Sequence, residues 1–118
     1  MLDMHLLSGG AAQGLVRAMQ PSFEAASGLA LQCTFNAVGA IQQKLVEGAA
    51  CDVLILTRPL IENLTHSGLV TPGSARDLGV VKTGIAVKTG AQHPLVHDAD
   101  TLRASLQAAS AIFFPDPL

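Results

Sequence analysis

Three short segments of small and polar residues stand where apolar runs give way to helical patterns. They are, in chain order, Ser8-Gly9-Gly10, Asn36-Ala37-Val38 and Thr57-Arg58. Backbone N–H groups at helix N-termini bind anions, and an arginine adds charge-assisted hydrogen bonds to a carboxylate or an oxyanion. We therefore interpret these eight residues as candidate ligand contacts for a small anion.

Each segment also has a purely structural interpretation. Ser8-Gly9-Gly10 suits an anion cradle, but a tight strand–helix turn needs the same small residues. Asn36 is equally typical of a turn or a helix cap. Arg58 can serve as a ligand anchor or remain a solvated side chain at a helix start. Thr57 is expected to be the N-cap of that helix. The sequence leaves these alternatives open.

Other reactive residues lack the spacing that known active sites require. His93 and His97 are four apart, but Pro94 between them argues against a zinc site on a helix. Asp52 has no partner at a fixed spacing, which favours a structural role. A Gly-x-Ser-x-Gly elbow, a dinucleotide fingerprint and a Walker A motif are all absent. We predict no catalytic residue, no metal and no cofactor.

Alternating apolar strands and helices must position the candidate segments. A run without alternation is typical of a strand covered on both faces, and Val53–Leu56 is such a run. The strands are predicted at His5–Leu7, Leu29–Phe35 and Val53–Leu56, and the helices at about Ala11–Ala26, Ala40–Glu47 and Pro59–Ser67. This order predicts an α/β fold with a mostly parallel sheet and helices on both faces.

The first predicted helix carries two further expectations. Leu15, Met19 and Phe23 lie four apart and are expected to pack on the sheet. Pro21 is expected to kink or divide the helix, and Gly28 is expected to end it as the C′ residue. In the next two helices the inward residues are expected to be Ile41, Leu45, Leu60, Ile61 and Leu64.

The remainder of the chain continues the alternation. Val80–Val87 is strand-like, and residues 89–98 are predicted to be loop. Asp100 or Thr101 is expected to cap a helix to about Ala109, with Leu102 and Leu106 turned inward. A last strand is predicted at Ala111–Phe114.

Composition restricts the class of function. The 118 residues carry a net charge of −2 with scattered basic residues, which does not favour nucleic acid as a partner. Aromatic residues are scarce, so stacking on bases or sugars is not expected to dominate binding. No basic segment followed by an apolar one marks a secretory signal at the N-terminus. Cys33 and Cys51 lack metal spacing and are expected to stay reduced, with the first strand lying between theirs.

The order of these features resembles the molybdate-type substrate-binding proteins of ABC transporters, which have the two-lobed type II periplasmic binding fold. The resemblance rests on five stretches in order: Ser8–Gly10, Pro21–Gly28, Phe35–Gly39, Gly48–Val53 and Ser67–Val70, with Asp116-Pro117 after the last strand. Molybdate-binding members present hydroxyl side chains where this chain has Gly10 and Ala37-Val38. Backbone N–H groups are therefore expected to hold the anion instead.

The resemblance implies a first lobe with its crossover strand in residues 1–88 and the incomplete start of a second lobe in 89–118. It implies a membrane permease as partner and a periplasmic location, or a cytoplasmic one if this is the full product. Because such proteins are about twice this length, the chain resembles a truncated member. Its apolar last segment and open sheet edge lead us to expect a homodimer rather than an isolated monomer. The alternative is that the terminal segment folds back on the first lobe and closes it.

Three functions fit these observations. The first is a non-enzymatic solute-binding domain for a small anion or organic acid. The second is a small α/β isomerase or hydrolase of an organic acid that uses Asp52 or a histidine as base. The third is an effector-binding half-domain of a regulator.

Overall fold

The computed structural model describes residues 2–114, which form two compact units: residues 2–79 and residues 80–114. The first unit contains the sheet and all of the candidate ligand contacts. No helix among the described residues combines the length and the apolar character that a membrane span requires.

The first unit is a three-stranded parallel sheet with its helices. The sheet order is β2-β1-β3, so β1 is the central strand. The elements are β1 (Leu2–Gly9), a single-turn 3₁₀ helix (Gly10–Ala12), α1 (Gln13–Ser27), β2 (Leu29–Asn36), α2 (Val38–Val46), β3 (Val53–Ile55) and α3 (Arg58–His66). The predicted α/β class and the predicted strand order are confirmed.

The core lies on both faces of β1. Neighbouring residues of a strand point to opposite faces, and Leu6 and Leu7 are both buried. The helices contribute Val16 of α1, Ile41 of α2 and Leu64 of α3 to the core. Leu64 was predicted to face inward. The strand that is covered on both faces is thus β1. The prediction for Val53–Leu56 was wrong in this respect: Val53 is 38% exposed because β3 is an edge strand.

The prediction for the inward face of α1 was also wrong. Leu15, Met19 and Phe23 are exposed, whereas Val16 is buried. The helix is turned by about one residue, which brings Gln20 and Glu24 to the backbone of β2. The apolar repeat of four residues did not predict this rotation, because the rotation depends on backbone groups of β2 that need hydrogen-bond partners.

Pro21 does not divide α1, which runs unbroken from Gln13 to Ser27. A proline lacks the N–H that would bond the carbonyl four residues earlier. One missing bond is compatible with a fifteen-residue helix whose side chains are held against the sheet. Gly28 ends the helix in the left-handed conformation, with φ of 71°, as predicted.

The connection between the second strand and the second helix is shorter than the predicted loop of residues 36–39. β2 continues through Asn36 and α2 begins at Val38, so the predicted loop reduces to Ala37. Ile41 is fully buried, as expected for the inward face of α2. Thr57 holds the N-cap position of α3, as predicted, but its side chain makes no capping hydrogen bond.

The second unit contains one helix, α4 (Ala99–Ala108). Its N-cap is Asp98 rather than Asp100 or Thr101, because Asp98 and Thr101 bond each other's backbone N–H in a capping box. Residues 80–87 and 111–114 form no strand, and Leu106, which was predicted to face inward, is 42% exposed. Extended backbone becomes a strand only when a neighbour pairs with it, and this condition is not visible in an apolar run. Asp116-Pro117 lies outside the described residues.

Candidate functional site

The three candidate segments meet at the carboxyl edge of the sheet. Gly9 at the end of β1 is in register with Asn36, and Ser8 is in register with Ile55. A Cβ atom built on Gly9 would lie 3.0 Å from Cγ1 of Val38 and 3.8 Å from the carbonyl oxygen of Ile55. Gly9 therefore lies tightly between the other two junctions. In open α/β sheets this edge is where ligands bind.

The helices that begin at this edge present backbone donors without side-chain caps. The 3₁₀ helix follows Gly9, α2 follows Ala37 and α3 follows Thr57, and none of these three N-cap residues makes a side-chain capping hydrogen bond. The first N–H groups of a helix have no partner within it. By contrast, α4 in the second unit begins with a capping box formed by Asp98 and Thr101. The uncapped N-termini of α2 and α3 suit an anionic ligand.

Ser8 and Asn36 are held by local hydrogen bonds. The hydroxyl of Ser8 is fully buried and donates to the carbonyl oxygen of Gly9 at 2.8 Å. Oδ1 of Asn36 accepts the N–H of Ala37 at 2.8 Å, which is the turn role that the sequence allowed. Among the described residues the amide nitrogen of Asn36 has no partner, so it remains able to donate to a ligand.

Arg58 is the first residue of α3 and is 69% exposed along its side chain. Its Nη2 atom donates to Oδ2 of Asp77 at 2.7 Å. No sequence pattern indicated Asp77. The two residues are separated by nineteen positions, and no spacing rule connects them.

Arg17 is a second cation that sequence reasoning did not identify. Its guanidinium carbon lies 5.5 Å from the centre of the Phe35 ring, within the usual range of a cation–π contact. Phe35 is in register with Ser8 at the penultimate position of β2. Arg17 is thereby held beside the strand that leads to the site.

Two of the residues considered as catalytic bases, Asp52 and His5, lie in the first unit away from the candidate contacts. Two hydrogen bonds join Asp52 to His5. Oδ2 of Asp52 accepts one from the backbone N–H of His5 at 2.7 Å, and the backbone N–H of Asp52 donates the other to the carbonyl of His5 at 2.8 Å. His5 precedes Gly9 by four strand residues, or roughly 13 Å. Asp52 therefore extends the β1–β3 pairing at the amino side of the sheet, which is the structural role predicted for it.

The two cysteines are free thiols in half-buried positions. Burial raises the pKa of Cys33, and burial likewise raises the pKa of Cys51. Both thiols are therefore protonated at neutral pH. Within residues 2–114, no three histidine, cysteine or carboxylate side chains come together as a metal site.

A parallel α/β sheet with its helix N-termini gathered at one edge is the arrangement at which open α/β folds bind small molecules. Residues 4–117 match the family described as bacterial extracellular solute-binding protein. The chain belongs to this family.

The chain is similar to known proteins both in fold and in sequence. The fold resembles the substrate-binding domain of a putative molybdenum ABC transporter from Clostridium difficile, with a TM-score of 0.52 and 14% identity over 57% of this chain and 30% of that one. The sequence is 28% identical over 116 residues to an aconitate isomerase from Pseudomonas sp., covering 94% of this chain and 44% of that protein. The chain thus spans less than half the length of this relative.

Proposed function

We propose that this chain is a solute-binding lobe that captures a small anion, with an organic acid as the favoured ligand class. The observation that carries the proposal is the meeting of Gly9, Asn36 and Thr57 at one sheet edge, where the helices begin without side-chain caps. Membership of the solute-binding family supports the same function.

The anionic character of the ligand follows from the donors at this edge. Backbone N–H groups at the start of α2 and α3 carry partial positive charge. Arg58 adds a full positive charge with donors arranged to match a carboxylate. The hydroxyl of Ser8 is turned into the core, so the site relies on backbone donors together with Arg58 and Asn36.

Titration calorimetry with a small set of anions tests this function. The probes are cis- and trans-aconitate, molybdate and sulfate, with a neutral sugar as control. We expect saturable binding of at least one anion and none of the sugar. Binding that is absent for every anion, or equal for the sugar, contradicts the proposal.

Isomerisation of an organic acid is the second candidate, and the aconitate isomerase relative favours it. Proton transfer requires an acid–base group within hydrogen-bond reach of the substrate. Asp52 and His5 lie at the far end of the first unit's sheet. This placement supports binding over catalysis. Incubation with cis-aconitate, followed by proton NMR, tests the alternative: formation of the trans isomer above the rate without protein would favour the enzyme.

We also propose a membrane permease as partner and a periplasmic location, since both accompany ABC-type uptake by solute-binding proteins. Homodimerisation is a further proposal. Exposed apolar side chains on both units support it, notably Met19 on α1 and Phe113 in the second unit. Such surface is usually covered by another protein surface.

A further inference from the structure

Arg58 is paired with Asp77 through a single hydrogen bond. The 2.7 Å contact uses Nη2 of the guanidinium and Oδ2 of the carboxylate. Both side chains are more than two-thirds exposed. An arginine–carboxylate pair that fixes its arginine firmly is usually bidentate or buried. This pair is neither, and it is therefore readily broken.

Asp77 presents to Arg58 the same group that an organic acid would present. Arg58 begins α3 at the carboxyl edge of the sheet, where β3 ends. Asp77 follows the turn formed by Thr71 and Ser74, in an exposed stretch without helix or strand. The chain thus supplies its own carboxylate to the one arginine of the candidate site.

We propose that Asp77 is an internal competitor of the ligand at Arg58, and that anions bind by displacing its carboxylate. This inference rests on the proposed anion-binding function. Exposed ion pairs contribute little free energy, so the competition lowers affinity by about five-fold at most.

The opposite role for Asp77 would be to orient Arg58 for the ligand. That role predicts that loss of the carboxylate weakens binding, whereas competition predicts that it tightens binding. The substitution Asp77→Asn distinguishes the two, because it removes the charge and keeps the size of the side chain.

The experiment is calorimetric titration of wild type and Asp77→Asn with trans-aconitate and with molybdate. We expect the variant to bind about two- to five-fold more tightly, the range available to an exposed ion pair. When Arg58 is replaced by alanine, the gain in affinity from Asp77→Asn should fall to the small effect of removing any distant negative charge. Asp100→Asn is the matched control, since Asp100 is an exposed aspartate next to Arg103 in the second unit.

Each outcome decides between the alternatives. If wild type binds and the folded variant Asp77→Asn binds equally or more weakly, Asp77 does not compete with the ligand. The proposed function then remains intact. An equal gain in affinity in Asp100→Asn also overturns the inference, because the gain would then come from the change in net charge. No binding of trans-aconitate or molybdate by wild type and Asp77→Asn overturns the inference, and it overturns the proposed function as well when cis-aconitate and sulfate also fail to bind. Circular dichroism establishes that each variant is folded.

Discussion

Glu24 on α1 accepts the backbone N–H of Leu31 on β2 at 2.9 Å. Gln20, one turn earlier, donates to the carbonyl of Leu31 at 3.1 Å and to Glu24 at 2.9 Å. β2 is an edge strand, so the peptide groups of Leu31 on its outer side have no strand partner. The two side chains replace that partner, and they block a point at which another chain could pair.

The first prediction is that Glu24→Ala lowers the urea midpoint of unfolding and speeds hydrogen exchange at the Leu31 amide. The reason is the loss of the hydrogen bond that caps this N–H. Glu47→Ala is the matched control, because Glu47 accepts from Gln43 at the same spacing without touching a strand. Equal effects of the two substitutions would show that the strand contact contributes nothing.

The same contact has a defined pH dependence. Hydrogen bonds from Gln20, and then from Leu31, lower the pKa of Glu24 below its ordinary value of 4.5. Because the unfolded state then binds this proton more readily, the contribution is present above about pH 4.5 and is lost as the pH falls through the folded-state pKa. The difference in midpoint between wild type and Glu24→Ala should shrink between pH 6 and pH 3.

The second prediction concerns the close packing of Gly9. Gly9→Ala should reduce the free energy of unfolding by about 1–3 kcal/mol, the usual cost of overpacking, because the new methyl group would lie 3.0 Å from Val38. Gly10→Ala is the control, since its nearest atom is 3.9 Å away. Urea denaturation measures both, and the cost should fall when Val38→Ala is added. If Gly9→Ala still destabilises the protein when Val38→Ala is present, the contact with Val38 is not the cause.

The third prediction is that Arg58→Ala weakens binding of an anionic ligand by about 1.5–3 kcal/mol, the range for a hydrogen bond to a charged group. Titration calorimetry with trans-aconitate provides the measurement. Arg76→Ala is the matched control, because the bonds that Arg76 makes among residues 2–114 go to the local carbonyls of Gly73 and Ala75. An unchanged dissociation constant for Arg58→Ala would make this residue a surface arginine.

The fourth prediction is that Cys33 and Cys51 stay reduced in air. Cys33 lies on β2 and Cys51 lies two residues before β3, with β1 between these two strands. The two strand spacings alone separate the cysteines by about 9–10 Å, beyond the Cα spacing of a disulfide. Because burial raises the pKa of both thiols, alkylation by iodoacetamide at neutral pH should be slow and should accelerate in urea. Mass spectrometry of unreduced protein should show two alkylated thiols. A single internal bond would contradict the strand order as well.

The fifth prediction is self-association, measured by light scattering over a concentration series. We expect a dimer, because a monomer leaves large apolar side chains in water on both units. Met19→Lys on the exposed face of α1 tests whether this helix takes part, with Lys44→Ala on α2 as a surface control. A monomer at every concentration would rule out the dimer.

The amino-acid sequence by itself determined the class of the fold and the places where ligand contacts can arise. Small residues after apolar runs fix strand–helix junctions locally, so Gly28 and Thr57 fell at the predicted caps. The strand order was also predictable, because the resemblance extended over most of the chain. These features depend on neighbours in the sequence, and they follow from propensity and turn chemistry.

Only the tertiary structure decided which surfaces and charges meet. The rotation of α1 is set by the unpaired peptide groups of Leu31, which lie seven residues from Glu24 and have no apolar signature. The exposure of Val53 follows from the position of β3 at a sheet edge. The pairing of Arg58 with Asp77 brings together residues nineteen positions apart. Such long-range relationships depend on how the chain folds back on itself, and no local pattern encodes them.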